Sequence, residues 1–112
     1  MANISQNNMR ARDVAGVRDR RALTYTGPVS YVNGATVGDP VTPADVFLGT
    51  IEVIEFPNII FDTAGANPRF VIVETVTRGS LYRIHFQTAL GTEVANAVNL
   101  STYVVDFEVL GK

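Results

Sequence analysis

Apolar positions in this chain recur mostly at a spacing of two, the signature of half-buried β-strands. The clearest instance is the pair Phe70–Thr77 and Leu81–Gln87, which flank Arg78-Gly79-Ser80. With Gly79-Ser80 as a two-residue turn, counting outward sets Thr77 against Tyr82, Thr75 against Ile84 and Val73 against Phe86, a core-type face of aromatic and β-branched residues. The opposite face sets Val76 against Arg83 and Glu74 against His85, the latter a cross-strand ion pair. Thr102–Leu110 alternates as cleanly, with Tyr103, Val105, Phe107 and Val109 on one side and Val104, Asp106 and Glu108 on the other.

Elsewhere the pattern is more broken. Leu23–Thr26 and Val29–Val32 are short β-rich runs separated by Gly27-Pro28, and Asn33-Gly34 is a hairpin signal with a brief return over Ala35–Val37. Gly38 to Pro43 reads as loop, because two prolines in four positions remove ladder donors. Asp45–Phe56 is expected to be one long strand, apolar on both faces and therefore covered on both. Residues 62–68 are turn-rich, and 88–99 read as loop with one turn of helix capped by Thr92. Residues 1–9 are polar and aperiodic. Residues 10–22 are a short helix candidate, with Ala11, Val14 and Val17 on one stripe and Gly16 weakening it. No long helical period is present. These elements predict an all-β chain, an antiparallel β-sandwich or β-barrel (jelly-roll-like) with an extended N-terminal arm.

Composition narrows the picture. The 112 residues are one domain's worth of chain. Without cysteine there is no disulfide framework or thiolate metal site, and a single histidine excludes a multi-histidine zinc site. Charged residues make up 18%, below the ~25% of an average globular chain, while 46% are hydrophobic, which implies more apolar surface than one small sandwich hides and predicts self-association or docking. The opening residues lack the basic and apolar regions of a secretory leader, and no run approaches the ~20 apolar residues of a membrane helix, so a protein that is neither exported nor membrane-bound is expected.

Charge is unevenly distributed. Residues 1–21 carry Arg10, Arg12, Arg18, Arg20 and Arg21 against two aspartates, a net +3, whereas the other 91 residues carry four cations against nine acids, a net −5. This asymmetry predicts a basic arm, 1–21, and a single β domain, 22–112. All five cations being arginine suits bidentate contact with carboxylates or phosphates. Nucleic acid is the poorer partner, because the acidic body would repel phosphates and no exposed aromatic platform is interleaved with the arginines.

Candidate chemistry is sparse. His85 oriented by Glu74 has the form of a general base, but no Gly-x-Ser-x-Gly or other nucleophile signature accompanies it and Ser80 lies in a turn. The reading adopted is a surface or interface group of Glu74, His85 and Arg83. Asp39, Asp45, Asp62 and Asn67 offer oxygen ligands at spacings that match no Ca²⁺ loop, and such residues also build turns. Gly34–Gly38 lacks the lysine and helix start of a phosphate loop. Asn99-Leu100-Ser101 has the form of a glycosylation sequon, read as chance without a leader. No catalytic residue, metal or cofactor is expected.

A short cysteine-free chain with an Asn/Gln/Arg-rich start, the Pro/Gly-punctuated run Val41-Thr-Pro-Ala-Asp-Val-Phe-Leu-Gly-Thr50 and the terminal strand Asp106-Phe-Glu-Val-Leu-Gly-Lys112 resembles the small virion proteins of tailed bacteriophages, in particular capsid decoration (cement) proteins. The resemblance implies a non-enzymatic structural protein, made in the host cytoplasm and seated on the capsid surface. Its partners would be the major capsid protein or other virion subunits, often engaged as a homo-oligomer, with a trimer favoured. An arm, here mapped onto the five arginines, would dock on neighbouring subunits and act by avidity. Other readings are a phage tail or connector component, a small self-assembling coat protein, or a β-sandwich ligand-binding module, the last short of the exposed Trp/Tyr cluster it would need.

Overall fold

Period-two patterning is realised as ten strands in two antiparallel five-stranded sheets packed face to face, an all-β sandwich seen in a computed structural model that describes residues 3–6, 12–14 and 18–112. The first sheet has the order β1(Asn3–Gln6)–β3(Arg18–Thr26)–β10(Val104–Gly111)–β5(Ile51–Glu55), with β2(Arg12–Val14) also beside β3. The second has the order β4(Asp39–Val41)–β8(Leu81–Ala89)–β7(Arg69–Thr77)–β6(Ile59–Ile60), with β9(Thr92–Glu93) also beside β8.

Several expectations are corrected. In place of a helix over 10–22 the described residues form β2 and β3, and β3 runs from Arg18 to Thr26, so a division after residue 21 falls inside a strand. Its first half is held by β10, with Leu110 opposite Arg20 and Val109 opposite Arg21. Pairing with the last strand therefore overrides the weak helical stripe that Gly16 interrupts. Asp45–Phe56 is not continuous strand. Thr42 and Asp45 form a capping box around a 3₁₀ turn, Pro43–Val46, and Phe47 follows at φ 62, so β5 starts only at Ile51. Residues 39–41 are strand despite Pro40, which an edge strand tolerates. Val29–Val32 is loop, residues 33–37 close on one bridge between Asn33 and Val37, and Thr92 begins β9 instead of a helical turn.

The β7–β8 hairpin keeps both expected faces but shifts register by two. Val73 lies opposite Ile84, Thr75 opposite Tyr82 and Val71 opposite Phe86. The turn accepts Ser80 N–H at Thr77 O, placing Gly79 (φ 86) third, where a type II turn needs positive φ, and an irregularity between Thr75 and Thr77 absorbs the extra residue.

Inward residues of both sheets fill the core: Leu23, Tyr25, Phe107 and Val109 from the first, Val71, Tyr82, Ile84 and Phe86 from the second. Phe86 is its hub, with Tyr25, Tyr31 and Tyr103 rings 5.8–6.1 Å away. Each tyrosine brings a hydroxyl into this apolar space, where an unpaired one would be costly. All four are paired: Tyr25 with Asp39, Tyr31 with Glu93, Tyr82 with Ile51 O across the sheets, and Tyr103 with Asn67 O. At the rim, Gly111 sits so close to Thr50 that a Cβ would lie 2.0 Å from its carbonyl oxygen, which only glycine permits.

Candidate functional site

Alternation along β7 and β8 sends Phe70, Ile72, Glu74, Arg83, His85 and Gln87 to the outer face of the second sheet. Glu74 lies opposite Arg83 and His85 opposite Ile72, yet the Glu74 carboxylate reaches diagonally to His85, with Oε1 2.7 Å from Nε2. The expected Glu74–His85 contact thus forms as a diagonal pair, within reach of long side chains. Arg83 makes no ion pair among the described residues.

Sequence reading missed the other half of this cluster. Glu93, on β9, places Oε1 3.0 Å from His85 Nδ1, and its other oxygen accepts the Tyr31 hydroxyl. Tyr31 Oη in turn accepts Phe86 N–H at 3.0 Å, and Gln87 Nε2 donates to Glu93 at 3.4 Å. Burial, helped by the hydrogen bond to Glu93, pushes the Tyr31 hydroxyl above its ordinary pKa, so it stays a donor. With both ring nitrogens facing carboxylates, the imidazolium can donate to both, whereas a neutral ring donates to one. His85 is therefore a clasp joining β7, β8 and β9 and, through Tyr31, the 27–38 loop. Among the described residues no hydroxyl or thiol nucleophile is bonded to it.

Beside this clasp the same face is apolar. Ile59 pairs with Phe70 across β6–β7, and with Ile72 and Leu90 they line a groove of about 300 Å³. Ile59 is 47%, Ile72 44% and Leu90 74% exposed. Such a cluster rimmed by polar groups is the usual mark of a contact surface.

The arginines have a different setting. Glu55 and Glu108 lie directly opposite in the β5–β10 ladder, an unfavourable like-charge pair. Arg20 Nη1 resolves it, at 3.3 Å from Glu55 and 2.9 Å from Glu108. Arg21 reaches Asp19 at 3.5 Å, while its Nε is buried without a partner among the described residues. These two arginines face the chain's own carboxylates instead of standing free as an arm. Arg10 lies outside the described residues, as do the side chains of Arg12 and Arg18; their backbones belong to β2 and β3.

The candidate oxygen ligands are dispersed. Asp39 is buried against the Tyr25 hydroxyl at 2.6 Å, and Asp45 caps Thr42. Asp62 accepts from Ala64 N–H, Ala66 N–H and Asn67 Nδ2, which organises its loop. Among the described residues no group of three or more His, Cys, Asp or Glu could hold a metal ion. Nor is any helix long and apolar enough to cross a membrane. Compared with known protein families, curated proteins and solved structures, the chain matches none.

Proposed function

We propose that this is a non-enzymatic structural protein that docks on larger protein assemblies, as the phage decoration proteins its sequence resembles do on capsids. The observation that carries the reading is the exposed apolar cluster of Ile59, Phe70, Ile72 and Leu90 on the outer face of the second sheet. Beside it, the polar groups of His85, Glu74 and Glu93 are already bonded to one another. That combination suits a rigid platform for protein contact. The partner in this reading is a capsid or other virion subunit, engaged by several copies at once so that modest interfaces add through effective concentration. Arg10, Arg12 and Arg18 are the arginines assigned to neighbouring subunits, since Arg20 and Arg21 pair within the chain.

The test is co-sedimentation of the purified chain with expanded tailed-phage heads stripped of their own decoration protein, alongside light-scattering mass of the chain alone. Expected are a small discrete oligomer, retention with the heads, and loss of retention in Ile72→Glu with the circular dichroism unchanged. Growth of the chain alone into closed shells would make it a coat protein, and equal retention of Ile72→Glu would remove this face from the contact.

A further inference from the structure

Among the described residues the sandwich is open between β5 and β7, where the chain passes from the first sheet to the second. β5 and β6 are separated by only three residues, yet β5 pairs with β10 in the first sheet and β6 with β7 in the second. Because β6 covers only Arg69 and Phe70, no strand among the described residues pairs with β7 on that side from Val71 onward. Val71 still donates its N–H away from β8, to Asn58 O at 2.9 Å. By the alternation of an antiparallel ladder, the N–H and C=O of Val73 and Thr75 point to the same open edge. Farther along, Ile51 N–H donates to Gly79 O and closes the gap at the turn.

Between these two closures lies a slot of about 380 Å³ whose apolar lining includes Ile54, Phe56, Val71 and Val73. Residues on the inward faces are incompletely covered here: Ile54, Phe56 and Val73 are half-buried and Thr75 is exposed. The edge also carries little protection. Between Val71 and Thr77 there is no proline or cation, and the single charge, Glu74, is turned onto His85. Unpaired ladder groups over an unfilled apolar slot form a template for an added strand.

The geometry points to β7 as an acceptor edge for an extended segment of a different protein, with apolar side chains at alternate positions entering the slot and uncharged or basic ones facing outward. A second copy of this chain fits poorly. Two-fold pairing of β7 edges through Val73 and Thr75 as the bonded positions sets Glu74 directly against Glu74 of the other copy, a destabilising like-charge contact. The biological role of this edge rests on the docking reading above, but strand addition is testable without any phage head.

The probe is a capped synthetic heptapeptide of alternating valine and lysine, added to the full-length ¹⁵N-labelled chain while amide hydrogen exchange is followed residue by residue. In the free protein Val73 and Thr75 should exchange quickly while Ile72 and Glu74, bonded to β8, are protected. Peptide should slow Val73 and Thr75 by about tenfold or more. The same peptide N-methylated at alternate residues, which removes the donors of its pairing edge, should leave them fast. Protection of Val73 and Thr75 in the free protein at every concentration would show the edge already covered. Protection that grows with protein concentration would assign the edge to a second copy. No response to millimolar peptide, with head binding intact, would remove strand addition and leave the docking reading standing. Each of these three results overturns the proposal.

Discussion

Tyr25→Phe removes one oxygen from the centre of the molecule and leaves everything else in place. The ring is fully buried, edge-on to Phe56 at 5.4 Å and stacked on Phe86 at 6.1 Å, and phenylalanine keeps both contacts. What is lost is the hydroxyl donated to Asp39 Oδ2 at 2.6 Å. Asp39 is 6% exposed, so water cannot easily replace that donor. A hydrogen bond to a charged group contributes about 1.5–3 kcal/mol, and stranding its buried partner puts the expected loss at about 2–3 kcal/mol near neutral pH. The pH dependence has a definite sign. Burial raises the Asp39 pKa above 3.8, and the Tyr25 hydrogen bond opposes that rise, so the variant raises it further. The penalty is therefore largest where Asp39 is ionised and shrinks as pH falls through its folded-state pKa, towards the ~1 kcal/mol of an ordinary hydrogen bond. Urea denaturation of both proteins at about pH 7 and about pH 3 measures it. A loss below about 0.5 kcal/mol at neutral pH, or the same loss at both, would refute the assignment of a buried carboxylate held by this hydroxyl.

Phe107→Ala should cost about 3–5 kcal/mol, since the ring is buried and lies 4.4 Å from Phe56; a midpoint shift in urea reports it. Arg20→Ala should lower the melting temperature in dilute buffer by leaving Glu55 and Glu108 facing each other, and the difference should narrow in high salt as that repulsion is screened. Ala66 N–H, Asn67 and Ala64 N–H hold the Asp62 carboxyl below its ordinary pKa, so the stability it adds is present above 3.8 and lost as pH falls through the folded value. Asp62→Ala should accordingly speed exchange of the Ala64 and Ala66 amides at neutral pH, and a pH-independent effect would contradict this origin.

The strands easiest to read from sequence were those with one wet and one buried face. β10 and the β7–β8 hairpin emerge with the expected sides because period two is unambiguous once Phe107, Val109, Ile84 and Phe86 must all point inward. Register was harder, because a shift of two preserves every face, so hydrophobic pattern cannot detect the irregularity between Thr75 and Thr77. The segment 43–50 was misread because local chemistry outweighed apolar content: Pro43, the Thr42–Asp45 box and Phe47 in the left-handed region end the strand pattern before Ile51. Half of the His85 clasp was legible, since Glu74 sits on the paired strand. Glu93 and Tyr31 were not, because Tyr31 and Glu93 meet across 62 positions with no motif to announce it. Separations of 35 and 88 positions likewise hid the partners of Arg20, which composition alone had assigned to an arm.

The neighbourhood of β3 and β10 also constrains how the chain becomes folded. Thr24 and Asp106 are bonded across 82 positions, and Arg20 and Glu108 across 88. A chain synthesised only to Ala89 already holds both strands of the β7–β8 hairpin, whose residues close a short loop. It has no centre for the first sheet, because β10 is the strand on which both β3 and β5 rest. Until β10 arrives, Leu23 and Tyr25 wait with their ladder edge open and their apolar faces uncovered, which favours slow folding and makes that interval the one most exposed to aggregation. Destabilising β10 should therefore slow assembly of the first sheet far more than formation of the hairpin, so that β10 is the strand that commits the molecule to its fold.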